Sequence, residues 1–441
     1  MLRVIVRSCL LGGLVLAAAA GCGGSAAIRA AEGGRLGELQ RLLAEEIARG
    51  DLDDDDARDI ARAVAEGEVQ RARPPEGAAR LLGLRICARS VEGPLRERAA
   101  GSDAIAPVAA LLLLDAGLAD VEETRRHAAG LTRPSSAAAA AVASAWRAVH
   151  ARTLVGVGDV PARRERMLDG DQEVRVAALR ASIEAADPGD REAVLEAARL
   201  DPLPLARTLA IRAAAASGGE RVVRALRDLW TLADEPAREA IAEAWASPRA
   251  VSAGGHQQLL WAISTQRGAP AIAAARALAH AGREGSAEAL GVLVRAIESG
   301  PTRDRVYAIR VIPLGDAAAR AAVARATGDP DPSVALAALT RQLDAAPTGS
   351  EWVAATKRLL ALAEGSTTHA LLAKGALARA GVPSIAPILQ RDVRSRDSLL
   401  RESAGEGLIA LGQRVRAAPL LADPDPQVRI SVACALLTGR P

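Results

Sequence analysis

Side chains that commonly carry chemistry are sparse in this sequence and are not grouped. None of the five histidines has a second histidine or a cysteine within one helical turn, so zinc-ligand spacing is absent. The sequence also lacks a G-x-S-x-G nucleophile motif, an H-E-x-x-H metal motif and a G-x-x-x-x-G-K phosphate loop. We therefore predict no catalytic residue, no metal site and no bound cofactor. The histidines are His127, His150, His256, His280 and His369.

Two short segments could be interpreted as ligand loops. Asp51 and the run of aspartates at 53–56 could bind calcium, but they lack the glycine and the distal glutamate of a loop that surrounds the ion. Acidic residues also stabilise the start of a helix, which is the interpretation we favour. The segment LVGVGDVP at 154–161 has no preceding strand and no third glycine, so it is predicted to connect two helices rather than to bind a nucleotide.

The first 22 residues, MLRVIVRSCLLGGLVLAAAAGC, combine two arginines, an apolar run and small residues before a cysteine. This pattern is typical of an export signal, and the apolar run is shorter than a membrane-spanning helix requires. The segment from Ala19 to Cys22 resembles the lipobox of bacterial lipoproteins. The resemblance implies cleavage after residue 21, acylation of Cys22 and a lipidated, flexible tether over 22–34. Ordinary secretion and an uncleaved anchor are the alternatives.

Composition favours an all-α fold. Half of the 441 residues are hydrophobic, but only 1% are aromatic and phenylalanine is absent. Alanine, the best helix former, supplies much of the apolar character, and residues that favour strands are thinly spread. The 56 basic and 53 acidic residues are nearly balanced, whereas nucleic-acid binders typically show a basic excess. We therefore expect no nucleic-acid partner.

One phrase recurs along the chain at intervals of about 30 residues, which is typical of a helical solenoid. Its clearest copies are DGDQEVRVAALRA from Asp169, DPDPSVALAALTR from Asp329 and DPDPQVRISVACAL from Asp423. An aspartate can end one helix and cap the next, and Val174, Ala177, Ala178 and Ala181 then form one apolar face. Weaker copies begin at the following residues: Asp201, Asp234, Thr302 and Asp397.

The phrase D-x-D-x-x-V-R-x-A-A-L resembles HEAT repeats, and more closely the HEAT-like repeats of phycobilisome lyases. The resemblance implies a right-handed α-solenoid of stacked antiparallel helix pairs, of the HEAT/armadillo kind. It also implies a ladder between the arginine after the apolar residue and turn aspartates of neighbouring repeats, interrupted where Tyr307 and Ala335 replace that arginine. The predicted organisation is a signal peptide at 1–21, the tether, an N-terminal helical segment with capping helices at 35–160, and the solenoid at 161–441.

Each repeat of a solenoid contacts mainly its neighbours, and this limits which partners the two cysteines after Cys22 can reach. Cys87 and Cys434 lie near opposite ends of the predicted array, so we expect buried thiols rather than a disulfide between them. The five tryptophans could be binding anchors, but we favour a packing role between repeats. They are Trp146, Trp230, Trp245, Trp261 and Trp352.

The expected function is binding rather than catalysis. The proposed surface is a polar groove along the second helices, which carries Arg180, Arg212, Glu243 and Arg341 and binds a protein partner of the cell envelope. The alternative is a lyase-type HEAT-like enzyme, or an accessory subunit of an envelope enzyme complex. The lipid anchor would hold the protein at a membrane facing the periplasm or the cell exterior, and Gly23 favours the outer membrane. The sequence does not indicate which oligomeric state the protein adopts.

Overall fold

The computed structural model describes residues 26–133, 139–281, 284–345 and 348–439. All regular structure in these ranges is helical, and none of these residues lies in a strand, so the all-α class is confirmed. The chain divides into two compact units. The first contains the described residues up to Arg98 and from Ala386 onward, and the second contains residues 99–385. None of the described helices is both long and apolar enough to span a bilayer.

The helices are numbered here in chain order. The helices before residue 232 are α1 Ala26–Glu32, α2 Leu36–Arg49, α3 Asp54–Arg71, α4 Gly77–Gly83, α5 Glu92–Ala99, α6 Ala106–Asp115, α7 Val121–Leu131, α8 Ala140–Arg152, α9 Val160–Met167, α10 Gln172–Ala185, α11 Arg191–Leu200, α12 Pro204–Ser217 and α13 Glu220–Trp230. The later helices are α14 Glu235–Ala246, α15 Pro248–Val251, α16 Gly255–Thr265, α17 Ala269–Ala281, α18 Ser286–Ser299, α19 Thr302–Val311, α20 Ala317–Ala326, α21 Pro332–Ala345, α22 Ser350–Ala363, α23 Thr368–Arg379, α24 Ala386–Asp392, α25 Ser398–Ala410, α26 Arg414–Ala417 and α27 Pro426–Thr438. Short 3-10 segments include Leu84–Val91 and Ala418–Ala422.

The two aspartates of the recurring phrase have separate roles. The first shapes the turn: an Asp169 carboxylate oxygen accepts a hydrogen bond from the backbone N–H of Asp171 at 3.0 Å. The second caps the helix: Asp171 accepts from the backbone N–H of Glu173 at 2.8 Å, which satisfies an exposed donor at the start of α10. The same pattern precedes α21 and α27. The predicted helix starts in these copies are confirmed.

Helices α10 and α21 belong to a row of neighbouring helices in the second unit, called here the second-helix row: α6, α8, α10, α12, α14, α17, α19, α21 and α23. Each packs against the next through small apolar side chains. Val174, Ala177, Ala178 and Ala181 of α10 are all buried, as their spacing predicts. Alanines at these positions allow neighbouring helices to approach closely, which supports a helical-repeat arrangement.

An arginine ladder joins neighbouring repeats within each unit. Arg175 donates hydrogen bonds to both carboxylate oxygens of Asp201, at 2.7 and 3.2 Å, and Arg401 binds Asp423 in the same way at 2.7 and 2.9 Å. Such two-pronged pairs are the most directional contacts that arginine makes with a carboxylate. Arg207 likewise contacts Asp234. The predicted ladder is confirmed at these three positions.

The arginine contacts differ in the repeats whose sequence departs from the recurring phrase. Arg238 donates instead to the backbone carbonyl of Trp230 at 3.0 Å. Where Tyr307 stands in the arginine position, Arg305 pairs with the turn aspartate Asp329. Ala335 is a buried alanine that supplies no such pair. The predicted interruption is therefore confirmed at Ala335, while a shifted arginine maintains the contact beside Tyr307.

The prediction that residues 23–34 form a flexible tether is wrong over most of its length. Ala26–Glu32 is the helix α1, which packs against α3, and Ala27, Ala30 and Ala31 are buried in that contact. Alanine-rich segments of this kind form helices readily, and burial of one face then holds them in place. Residues 1–25, including Cys22, lie outside the described residues.

The prediction of free thiols at Cys87 and Cys434 is also wrong. The two sulfurs form a disulfide across 347 positions of the sequence, within the first unit. The cause is that α27 packs against α3 and against the 3-10 segment Leu84–Val91, so the N-terminal and C-terminal segments share one core. Sequence distance along the repeats therefore does not keep these cysteines apart.

Replacing Asp171 with alanine is expected to lower the free energy of unfolding by about 0.5–2 kcal/mol, the usual effect of losing an N-cap. The side chain caps α10 and also contacts the Ser144 hydroxyl. Urea unfolding of the variant would measure the loss. Asp171→Asn, which can still cap the helix, should lose less than the alanine variant, and equal losses would contradict the capping role.

Four cap aspartates are held ionised below their usual range. Backbone N–H groups of α3 lower the pKa of Asp53, and the Thr302 hydroxyl with backbone N–H groups lowers the pKa of Asp331. Burial alone would raise the pKa of Asp171 and of Asp234, but hydrogen bonds to both carboxylates outweigh burial and lower it. The ionised form of these four aspartates therefore stabilises the fold fully above the unfolded pKa of about 3.9. This stabilisation is lost as the pH falls through their lower pKa values in the folded protein.

We expect the urea midpoint to fall as the pH is lowered below about 4, because the unfolded chain then binds more protons than the folded one. A variant with asparagine at Asp53, Asp171, Asp234 and Asp331 keeps capping side chains that do not titrate. Its midpoint should fall less steeply over the same range. Identical pH dependence in the two proteins would show that these caps do not contribute to acid sensitivity.

Candidate partner-binding surface

The four residues predicted to face a partner all lie on the second-helix row. Arg180, Arg212 and Glu243 occupy the same position of α10, α12 and α14, six residues after the first apolar residue, and Arg341 lies on α21. The side chains of Arg180, Arg212 and Glu243 are 37%, 54% and 41% exposed. The exposed side of the row that carries these three residues is called here the row face.

The row face carries a chain of polar contacts across four successive helices. Arg212 of α12 lies 3.4 Å from Glu243 of α14, and Arg276 of α17 bridges Glu243 at 3.5 Å and Glu239 at 3.0 Å. Tyr307 of α19 then donates its hydroxyl to Glu239 at 2.7 Å. Burial, followed by this hydrogen bond, raises the pKa of Tyr307, so the hydroxyl stays protonated. The repeated phrase gave no indication of these contacts of Glu239, Arg276 and Tyr307.

A second charged group lies on the row face toward α6. Asp115 of α6 contacts both Arg152 of α8 and Arg180 of α10 at 3.2 Å, and Arg152 also lies 2.8 Å from Glu184. Asp115 is only 14% exposed, so this group is better protected from solvent than the contacts around Glu243. Arg180 therefore has a structural partner as well as an exposed surface. Charge reversal there would bring two carboxylates together.

A cavity of about 470 Å³ lies among α19, α21 and α23. Its charged lining comprises Arg310, Arg341, Arg379 and Asp344. This volume falls in the range of pockets that hold small ligands or single side chains of a partner. Of the four predicted partner-binding residues, only Arg341 lines it, and Arg341 also donates to the Ile312 carbonyl at 2.8 Å. This cavity is called here the arginine pocket.

The apolar part of the arginine pocket combines covered and uncovered side chains. Leu336 is 4% exposed, whereas Leu372 is 49% exposed although it lies beside the same cavity. Val306 completes this wall, and His369 shares a hydrogen bond with Ser333 at 3.0 Å. The pocket therefore offers both cationic groups and an open apolar contact.

The other segments considered from the sequence have structural roles. The aspartate run starts α3, where Asp53 and Asp56 form a reciprocal capping box. Residues 154–159 of the predicted connection join α8 to α9, residues 160 and 161 begin α9, and the Leu154 carbonyl accepts from Arg163 at 3.0 Å. No group of three or more His, Cys, Asp or Glu in the described part of the chain is placed to hold a metal ion.

Three of the tryptophans are core residues. Trp146, Trp230 and Trp245 are at most 1% exposed, which confirms their predicted packing role. Trp230 stacks on Trp245 with ring centroids 5.0 Å apart, and Arg227 lies 4.7 Å above the ring of the half-buried Trp261. Trp146, Trp230 and Trp245 are therefore packed in the core, whereas Trp261 and Trp352 are half-buried.

No family model matches the chain, and no curated protein matches it. Among solved structures, it is similar to the crystal structure of an engineered protein from the Northeast Structural Genomics Consortium. The two share 19% sequence identity, with 85% of this chain and 98% of that chain covered, at a TM-score of 0.28. A likeness this distant does not bear on function. The class defined by the fold is an all-helical, repeat-like protein.

Proposed function

We propose that this protein is a membrane-anchored, extracytoplasmic HEAT-repeat lipoprotein that binds a protein partner as a scaffold or adaptor. The observation that carries the proposal is the row face, where exposed residues of opposite charge are linked across α12, α14, α17 and α19. Alternating charges of this kind favour a matching protein surface, because they set orientation and suppress wrong partners. They disfavour nucleic acid, whose phosphates would meet Glu239 and Glu243.

Two further observations support the family and the location. The pairs Arg175 with Asp201 and Arg401 with Asp423 follow the ladder expected of a HEAT-like, right-handed solenoid of antiparallel helix pairs. The disulfide between Cys87 and Cys434 suits an oxidising compartment outside the cytoplasm. With the lipobox-like leader, these favour a protein facing the periplasm or the cell exterior, at the outer membrane where one exists.

Site-specific photo-crosslinking in cells tests partner binding. A photoreactive amino acid at Arg212 should capture a partner that the same probe at Glu243 also captures, since both residues lie on the row face. The matched control is Arg221 of α13, which is 72% exposed on a first helix. Capture of the same protein from all three positions, or from Arg221 alone, would contradict the proposed surface.

Lipidation is tested by replacing Cys22 with serine. We expect the variant to lose the mass of the lipid and to leave the membrane fraction, since two or more acyl chains are required for stable attachment. Cys9→Ser, within the leader, is the control and should leave both properties unchanged. A Cys22→Ser protein with the same mass shift and membrane fractionation as the wild type would contradict the anchor.

One contact favours a second candidate function, acyl hydrolysis by a repeat-type enzyme. Ser333 and His369 share a hydrogen bond in the arginine pocket, as a nucleophile and its base would. The structure gives His369 no carboxylate partner among the described residues, and an orienting acid is a usual part of such a site. Covalent labelling of Ser333 by a fluorophosphonate would favour the enzyme, and its absence in wild type and Ser333→Ala alike would favour binding.

A further inference from the structure

Two groups of arginines on the second-helix row differ in their ionic contacts. Arg152, Arg180, Arg212 and Arg276 each lie within ion-pair distance of an acidic side chain on a neighbouring helix. In the arginine pocket, by contrast, no described carboxylate lies within ion-pair distance of any of the three arginines, and the lining contains a single aspartate. The positive charge of the row is thus neutralised toward α6 but not at the end formed by α19, α21 and α23.

The uncompensated charge adjoins an apolar wall. Leu372 is half exposed at the edge of the pocket, and Leu336 and Val306 lie behind it. An exposed leucine that lines the same cavity as three arginines suits a ligand that is itself both anionic and apolar. Arginine also recognises carboxylates with a directional, two-pronged geometry that a compact cation cannot reproduce.

We propose that the arginine pocket binds an acidic peptide segment of a protein partner, in which carboxylates flank one aliphatic side chain. The aliphatic side chain contacts Leu336 and Leu372, and the carboxylates bind Arg310 and Arg379. The inference rests on the proposed function, because the arginine pocket lies at one end of the row face and would bind one segment of the same protein partner.

Continuity with the row face favours a peptide over an isolated small anion. Val306 and Arg310 of the pocket lie on α19, the helix that also supplies Tyr307 to the contacts around Glu239. A second cavity, beside Tyr307, is lined by Glu235 and Glu239, whose carboxylates are paired with Arg303 and Arg276. This mixed-charge surface suits a peptide in which polar residues follow a short acidic segment better than it suits a polyanion of uniform charge.

A photoreactive peptide tests the inference directly. The probe is acetyl-Ser-Glu-Leu-Glu-Ser-amide with a diazirine leucine at its centre, and the control peptide has glutamine at both glutamate positions. We expect the probe to label residues of α19, α21 and α23 in the full-length protein, in competition with unlabelled peptide. Added salt should weaken labelling, since exposed charges are screened over about 8–10 Å.

Two variants locate the interaction. Arg310→Glu with Arg379→Glu should weaken the apparent affinity about tenfold or more, the loss expected when hydrogen bonds to charged groups are removed. The matched control, Arg221→Glu with Arg224→Glu on α13, should label like the wild type. Leu372→Ser leaves the charges in place and should also reduce labelling, and thermal unfolding would verify that the variants remain folded.

The outcomes separate this inference from the proposed function. Equal labelling by the glutamine peptide, or labelling indifferent to the Arg310 and Arg379 reversals, would overturn the pocket assignment. If the peptide fails to label while probes at Arg212 and Glu243 still capture a common partner, the pocket inference is wrong and the proposed function stands. Failure of capture at both row-face positions would overturn the proposed function itself.

Discussion

Replacing Arg429 with leucine is expected to lower the free energy of unfolding by about 3–5 kcal/mol, the usual cost of leaving one partner of a buried ion pair uncompensated. Arg429 donates to one carboxylate oxygen of Glu68 at 2.6 and 3.1 Å, and the two side chains are 6% and 1% exposed. The variant leaves the Glu68 carboxylate in the core of the first unit without its closest cation. Urea unfolding of the two proteins measures the difference.

The double variant Glu68→Leu with Arg429→Leu separates charge from packing. Replacing a buried pair by apolar side chains is often neutral or stabilising, so the double variant should recover most of the lost stability. Arg71 and Arg80, which lie 3.5 and 3.7 Å from Glu68, are about one third exposed and can be solvated without it. A double variant less stable than Arg429→Leu alone would contradict this account of the pair.

Loss of the disulfide is expected to cost about 2–4 kcal/mol, because the bond restricts the unfolded chain across a very long loop. Cys434→Ala removes it with little change in volume. Cys87→Ala should have an equal effect, and the double variant should lose no more. Reduction of the wild type should give the same loss, while the alanine variants should be insensitive to reductant.

Peptide mapping without reduction provides an independent measurement. The digest should contain one pair of peptides linked through Cys87 and Cys434, and the link should disappear on reduction. Full alkylation of both thiols in the unreduced, denatured protein would contradict the pairing.

The local part of the fold follows from the sequence. Helix starts at Asp171, Asp331 and Asp425 are predictable because an aspartate two residues before a backbone N–H can cap it, and that relation is encoded within one phrase. The ladder of Arg175 with Asp201 joins adjacent repeats, so it also depends on short sequence separations.

The pairing of distant segments does not follow from the phrase. Contact of α3 with α27 brings together Glu68 and Arg429, which are 361 positions apart, and a phrase of about a dozen residues does not encode which distant helices share a core. One feature of the sequence did favour the disulfide. Cys87 and Cys434 are the two cysteines that remain after Cys22 and the leader are set aside, and an even pair in an exported chain favours a bond.

The candidate site was predictable only in part. Equal spacing within the phrase places Arg212 and Glu243 on the same face of α12 and α14, as the structure has it. Arg310 and Arg379 were missed because α19 and α23 depart from the phrase, so their position along the helix could not be aligned with the clearer repeats. The contact between Arg212 and Glu243 likewise required knowledge of which helices are neighbours.

A charge swap on the row face tests directly whether this surface binds a protein partner. The variant Arg212→Glu with Glu243→Arg inverts the surface pattern while keeping an ion pair between these two positions, and Arg276, which also contacts Glu243, keeps its closer partner Glu239. The matched control inverts the pair of Arg221 and Glu192 on the first helices. Exposed pairs contribute about 0–1 kcal/mol, so both variants should unfold at nearly the wild-type temperature. The measurement is the affinity for the partner captured by the probe at Arg212. We expect a weaker affinity for the row-face swap and an unchanged one for the control, whereas equal affinities of all three proteins would show that the partner binds elsewhere.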